Sequence, residues 1–143
     1  MERKSIIVDA SVVVKWFVIE EYSGEARRLK EAYASGLIDL VAPSLLPYEV
    51  INALKYSGAF GEEELKEIAE ILKDYQITLY ELVGNVAYKA IELAMRRGIT
   101  IYDAAYVALA YTLDTTLYTA DGRLLKKIGD RRRVKHIIEL KLE

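Results

Sequence analysis

Ser5-Ile6-Ile7-Val8-Asp9-Ala10-Ser11 is the stretch that decides how this chain reads. Three consecutive β-branched residues, Ile6 to Val8, predict a short strand that is apolar on both faces. Such a strand belongs in the middle of a parallel sheet covered by helices. The run stops at a carboxylate, Asp9, and the small residues Ala10 and Ser11 follow. In open α/β sheets ligands bind outside the carboxyl ends of the strands, and Asp9 stands at such an end. Taken alone, Asp9 reads first as the cap of the next helix.

Working outward, Ser11 to Phe17 predicts a short helix, apolar all round and therefore buried or set against a partner. Ser23 reads as the cap of a helix over 24–34 that Gly36 ends. Asp39 to Pro43 predicts a second strand. Ser44 opens a helix to about Tyr56, with Pro47 in its first turn, where the N–H groups lack intrahelical partners anyway. Glu62-Glu63-Glu64 start a helix to Lys73, acids at its positive end. A strand over 76–80, a helix over 84–96, a Thr100-capped helix over 101–111, a strand over 116–119, a short basic helix over 123–127 and a strand over 134–140 complete the chain. Strands alternating with helices predict one α/β domain over residues 1–143, a three-layer α/β/α arrangement around a parallel sheet of about five strands.

Composition removes whole classes of chemistry. The absence of cysteine excludes disulfides, thiolate nucleophiles and Cys-based zinc sites. The sole histidine, His136, lies in an apolar strand-like run and reads as structural. Lys and Arg number 20 against 22 Asp and Glu, a net charge of -2, so no global positive field draws in nucleic acid. Any such binding must use local patches. Met1-Glu2-Arg3-Lys4 runs into the first strand without the plan of a signal peptide. No apolar run approaches the ~20 residues of a membrane span. The expectation is a cytoplasmic protein with no membrane association.

Three more acids belong to the same edge of such a sheet. Asp121 follows the fourth strand, Glu49 lies within two turns of the helix after Pro43-Ser44, and Asp103 is in the first turn after Thr100. Singly, each is explained by a helix dipole or a turn. In a parallel sheet, however, strand C-termini and helix N-termini gather at one edge, so Asp9, Glu49, Asp103 and Asp121 converge. Clustered carboxylates repel and raise one another's pKa values unless a cation neutralises them. All-oxygen ligands select hard cations, here Mg²⁺ or Mn²⁺.

Ile7-Val8-Asp9-Ala10-Ser11, Pro43-Ser44 with Glu49, Thr100-Ile101-Tyr102-Asp103-Ala104-Ala105-Tyr106 and Thr119-Ala120-Asp121-Gly122-Arg123-Leu124, in that order, resemble a PIN domain. Asp9-Ala10-Ser11 with Lys15-Trp16, in so compact a chain, most resembles the VapC-type toxins of toxin–antitoxin pairs. The resemblance implies a metal-dependent endoribonuclease in which Asp9, Glu49, Asp103 and Asp121 ligate one or two Mg²⁺ or Mn²⁺ ions. Ser11 and Thr119 match its supporting hydroxyls, and Thr100 matches its Ser/Thr three residues before the third acid. The implied partners are an RNA substrate, a second copy in a homodimer, and a small antitoxin that sends an Arg or Lys into the carboxylates.

Candidate phosphate contacts are Lys15, Arg96-Arg97, Arg123, Lys126-Lys127 and the dense cluster Arg131-Arg132-Arg133 with Lys135. Val13, Trp16, Phe17, Tyr48, Leu54 and Tyr56 offer more apolar area than one sheet needs, which marks a partner surface. Tyr88 and Tyr106, at helical spacing, read as core. The competing reading is a non-catalytic RNA-binding or assembly module on the same fold. A receiver domain or an Asp-nucleophile phosphohydrolase would need a further acid beside or two after Asp9, where Ala10 and Ser11 stand.

Overall fold

The computed structural model describes residues 3–142, so Met1 and Glu2 of the opening run and the final Glu143 lie outside the described residues. Five strands, β1 (Lys4–Val8), β2 (Ile38–Pro43), β3 (Thr78–Tyr80), β4 (Leu117–Thr119) and β5 (Val134–His136), make one parallel sheet in the order β3-β2-β1-β4-β5. The helices are α1 (Ala10–Val13), α2 (Ser23–Ala34), α3 (Leu46–Ser57), α4 (Glu62–Asp74), α5 (Gly84–Arg97), α6 (Ile101–Thr112) and α7 (Gly122–Ile128). The expected α/β architecture is what forms.

The order follows from burial. Ile6, Ile7 and Val8 are at most 1% exposed, so β1 takes the centre, where both faces are covered. β3 is a three-residue strand with every residue exposed, short enough to limit an open edge. Across β2, β1 and β4 lies α6, whose Ala104 to Ala110 are all buried, with α5 packed against it. Its run of alanines lets it approach closely, and its all-round apolarity demands that position.

Four local expectations are corrected. The helix read over 11–17 is four α-residues, Ala10–Val13, then a 3₁₀ turn over Val14–Trp16. The β-branched run Val12-Val13-Val14 suits a longer helix poorly. Ser23 does not cap α2; it is the first helical residue, preceded by Tyr22 at φ 68°. Its buried hydroxyl accepts from the Glu20 N–H at 2.9 Å and donates to the Val18 carbonyl at 3.0 Å, tying down the loop before the helix. α3 begins at Leu46, while Ser44 stays outside it and donates to Glu81 at 3.3 Å. The final strand is only Val134–His136, after which a 3₁₀ turn over Ile137–Glu139 forms, with His136 Nδ1 accepting from the Ile138 N–H at 3.1 Å.

Burial also revises the proposed partner surface. Val13 and Leu54 are fully buried, and Trp16 is buried with its Nε1–H donating to the Ala26 carbonyl at 2.8 Å and its ring edge-on to Tyr75. Phe17 is partly buried against the same core. These residues are core, whereas Tyr48 and Tyr56 remain exposed. Tyr106 is buried as expected, but Tyr88 is 70% exposed, on the outer face of α5. Among the described residues no helix is long and apolar enough to cross a membrane.

Leu54→Ala will lower unfolding free energy by about 2–5 kcal/mol, through lost transfer energy plus a cavity. Tyr56→Ala, two residues on and facing solvent, will stay within about 0.5 kcal/mol of wild type. Urea denaturation of the two variants separates core from surface on this helix.

Candidate active site

The site begins with register. Val8 of β1 pairs with Tyr118 of β4, and the Asp9 N–H donates to the Tyr118 carbonyl at 3.1 Å, so Asp9 and Thr119 leave the sheet side by side. Asp9 Oδ2 accepts the Thr119 hydroxyl at 2.9 Å and the Ser11 hydroxyl. The Ser11 Oγ in turn accepts from the Ala120 N–H at 2.9 Å, and the Thr119 Oγ1 from the Asp121 N–H at 3.0 Å. Two hydroxyls thereby lock the end of β1 to the end of β4 around one carboxylate oxygen. Asp9 Oδ1 makes no such bond, and among the described residues no buried side-chain oxygen is left unpartnered. Oδ1 is therefore the oxygen that opens onto the site.

Each remaining acid arrives on its own helix. Glu49 lies in the first turn of α3, where the buried Tyr106 hydroxyl donates to its Oε1 at 2.7 Å. Asp103 lies in the first turn of α6, and its N–H donates to the Thr100 cap at 3.1 Å. Asp121 caps α7, its Oδ1 accepting from the Arg123 N–H at 3.0 Å. With Asp9 at the start of α1, every one of the four carboxylates stands at a helix N-terminus, where negative charge is favoured.

That placement does not neutralise them. Burial pushes the Asp9 carboxyl up from the ordinary carboxylate range, the charge of Asp103 adds to this, and the Ser11 and Thr119 hydroxyls oppose it. Burial likewise raises Glu49, opposed by the Tyr106 hydroxyl and reinforced by Asp9 and Asp103. Burial and the charge of Asp121 raise Asp103, against the Thr100 bond and the more distant Lys127 ammonium. The four sequence-predicted acids thus share one electrostatic environment. None of them takes part in an ion pair among the described residues.

The donor set fits a hard divalent cation: all oxygen, mutually repelling and with no ion pair among the described residues. Among the described residues no three acidic or imidazole side chains are drawn close enough to cage an ion between them. An ion held there would meet one or two carboxylates directly and keep its other waters, as Mg²⁺ does in sites without an all-protein cage.

Tyr106 is the site residue that sequence reading passed over as plain core. It sits one turn after Asp103 on the same helix, fully buried, and burial with the charges of Asp9 and Glu49 drives its hydroxyl pKa upward. It therefore stays protonated and donates. The available signal was that a buried tyrosine needs a partner for its hydroxyl.

The basic candidates separate by location. Lys15 is buried and paired with Glu20 at 3.2 Å, and Arg96 is paired with Glu92 at 3.0 Å. Arg123 and Lys127 stay with the acids, on α7. Arg132, Arg133 and Lys135 do not: they lie beside Lys4, Ser5 and Thr116, at the opposite edge of the sheet, and Arg131 is paired with Glu139 at 2.7 Å.

The PIN domain family profile matches residues 6–130. A ribonuclease named VapC3 from Pyrobaculum aerophilum is 37% identical over 130 residues, covering 85% of this chain and 93% of that one. Ribonuclease VapC1 from Mycobacterium tuberculosis is 34% identical over 127 residues, covering 86% and 90%. Among solved structures, a toxin–antitoxin complex from Klebsiella pneumoniae superposes with a TM-score of 0.69 at 15% identity, over 94% of this chain and 99% of that chain, a likeness of fold.

Because Asp9, Glu49 and Asp103 are raised in the folded state, the native chain holds more protons than the unfolded one above the ordinary carboxylate range. Without metal their contribution to stability is therefore lost as pH rises above that range. Asp103→Asn removes one repelling charge. In EDTA it will melt higher than wild type at pH 8, and the gap will close below about pH 4, where carboxylates are protonated. Thermal melts across pH read this directly.

Proposed function

This chain belongs to the PIN domain family, and from that premise we propose that it is a Mg²⁺- or Mn²⁺-dependent endoribonuclease acting as the toxin of a toxin–antitoxin pair. The observation that carries the reading is the convergence of four carboxylates from four elements with no cation paired to any of them. Charge repulsion of this kind is costly in a protein that only binds RNA, because it repels phosphate. It becomes useful once a divalent ion is held.

A bound ion of this type lowers the pKa of water and stabilises charge developing on phosphoryl oxygens. The protein's part is positioning. Ser11 and Thr119 fix Asp9 so that Oδ1 faces the site. Tyr106 fixes the Glu49 carboxylate, the Thr100 cap sets the first turn that carries Asp103, and Asp121 is held by the backbone of α7. Asp9, Glu49, Asp103 and Asp121 are the proposed ligands, one or two of them direct and the others through waters the ion retains. Arg123 and Lys127 offer positive charge to the substrate backbone next to the acids.

The proposed partners have matching surfaces. Pro47, Tyr48 and Ile51 line an exposed apolar groove on α3, the helix that carries Glu49. An antitoxin segment lying there can reach the acids with a basic side chain. On α5, Tyr88, Ile91 and Met95 form an exposed apolar stripe at helical spacing, suited to a second copy of the chain.

The deciding experiment is cleavage of a mixed, structured RNA with Mg²⁺ or Mn²⁺ against EDTA. Asp9→Asn and Asp103→Asn will each lose more than the roughly 10–100-fold expected for a supporting residue such as Thr119→Ala or Tyr106→Phe. Calorimetry with Mn²⁺ will show binding to wild type that Asp103→Asn weakens. Metal-independent RNA binding with no Mn²⁺ heat would instead favour the non-catalytic module.

A further inference from the structure

The cluster Arg131 to Lys135 is left without a role by the site described above. Its Arg132, Arg133 and Lys135 line a cleft of about 550 Å³ at the edge where β1, β4 and β5 begin. Lys4, Arg132, Arg133 and Lys135 enter the cleft, against one acid, Asp114. Arg133 takes Asp114 for itself at 2.6 Å, donates to the Thr115 carbonyl at 3.2 Å and lies against the Tyr111 ring, which fixes its guanidinium. The Thr116 hydroxyl donates to the Arg132 carbonyl at 3.0 Å and holds the backbone of the cluster. Lys4, Arg132 and Lys135 have no ion-pair partner among the described residues. The cleft is thus a fixed frame in which Lys4 and Arg132 carry unpaired charge and Lys135 acts on Glu139 through space without an ion pair.

The rest of the chain explains why such a frame is needed. The protein is net negative, and its carboxylate site repels a phosphate backbone. Lys15, Arg96 and Arg131 are already neutralised by Glu20, Glu92 and Glu139. We infer that the cleft formed by Lys4, Arg132, Arg133 and Lys135 is a second anion site that holds the phosphodiester backbone of single-stranded RNA, away from the acids. The inference rests on the nuclease reading for its substrate. β1 separates the two edges by five residues, about 16 Å at ~3.3 Å per residue. Only an RNA extending well beyond the cleaved bond reaches both. The cleft therefore acts on affinity for long substrates, by charge and without base specificity.

The test is fluorescence anisotropy with a single-stranded RNA of about 20 nucleotides, in EDTA, at several KCl concentrations. Arg132→Ala/Lys135→Ala will bind about tenfold more weakly at low salt, and its salt slope will shrink by about 1.4, or ~0.7 for each lost phosphate contact on a single strand. Arg132→Lys/Lys135→Arg, which keeps the charge, will retain affinity and slope. Wild-type affinity and slope in the alanine variant overturn the inference. So does equal loss in the charge-keeping variant, since the effect is then one of folding. Tighter wild-type binding of duplex DNA of the same length overturns the assignment to RNA. Mg²⁺-dependent cleavage of the same RNA by wild type is read in parallel. Its absence defeats the nuclease reading, whereas an unchanged salt slope with cleavage intact defeats only the cleft.

Discussion

Asp9 is the constraint on which this structure turns. A carboxylate is buried at the end of the central strand, and one of its oxygens is held by hydroxyls from two other places in the chain, Ser11 and Thr119. Burying that group without those donors would be expensive. Its presence therefore requires β4 to lie beside β1 in one register, and the chain to turn immediately into α1. The same two hydroxyls accept the N–H groups of Ala120 and Asp121, so the bonds that satisfy Asp9 also aim Asp121. The order of the sheet and the assembly of the site are one requirement.

The other three acids extend this logic at a cost. Burial raises Glu49 and Asp103, and all three acids lie where a helix N-terminus supplies partial positive charge. That support is worth about 0.3–1 kcal/mol per group and still leaves Asp9, Glu49 and Asp103 raised. Tyr106 adds rigidity: held protonated by its surroundings, it donates to Glu49 from inside the core and ties α6 to α3 across the site.

Charge is sorted across the sheet. The carboxyl edge of the strands carries the acids, and the amino edge carries Lys4, Arg132 and Lys135 without ion-pair partners among the described residues. Much of the other basic charge is absorbed in pairs on helix surfaces, as in Lys66 with Glu62 and Lys73 with Glu70. Exposed pairs of that kind contribute little to stability. Their effect is to leave a weakly negative molecule with two poles of distinct chemistry.

Much of this was legible in the chain itself. The Ile6-Ile7-Val8 run determined a central strand because residues apolar on both faces have nowhere else to go. The alternation of strands and helices determined a parallel sheet, and parallel geometry brings strand ends and helix starts to one edge, which is why Asp9, Glu49, Asp103 and Asp121 were identifiable together. Thr100 declared itself by its capping distance from Asp103. What sequence reading lost has a common cause. Trp16, offered toward a partner surface, is core, Tyr88 read as core and is exposed, and Ser23 read as a cap and is a buried staple. Periodicity says that a residue lies on a helix face but not what stands opposite that face. For the same reason only the tertiary structure paired Tyr106 with Glu49, 57 residues away, and sent the arginine cluster to the far edge of the sheet. Local pattern determines which residues must be hidden and which backbone turns are available; the partners of a buried hydroxyl or a clustered charge are decided by contacts between segments distant in the chain.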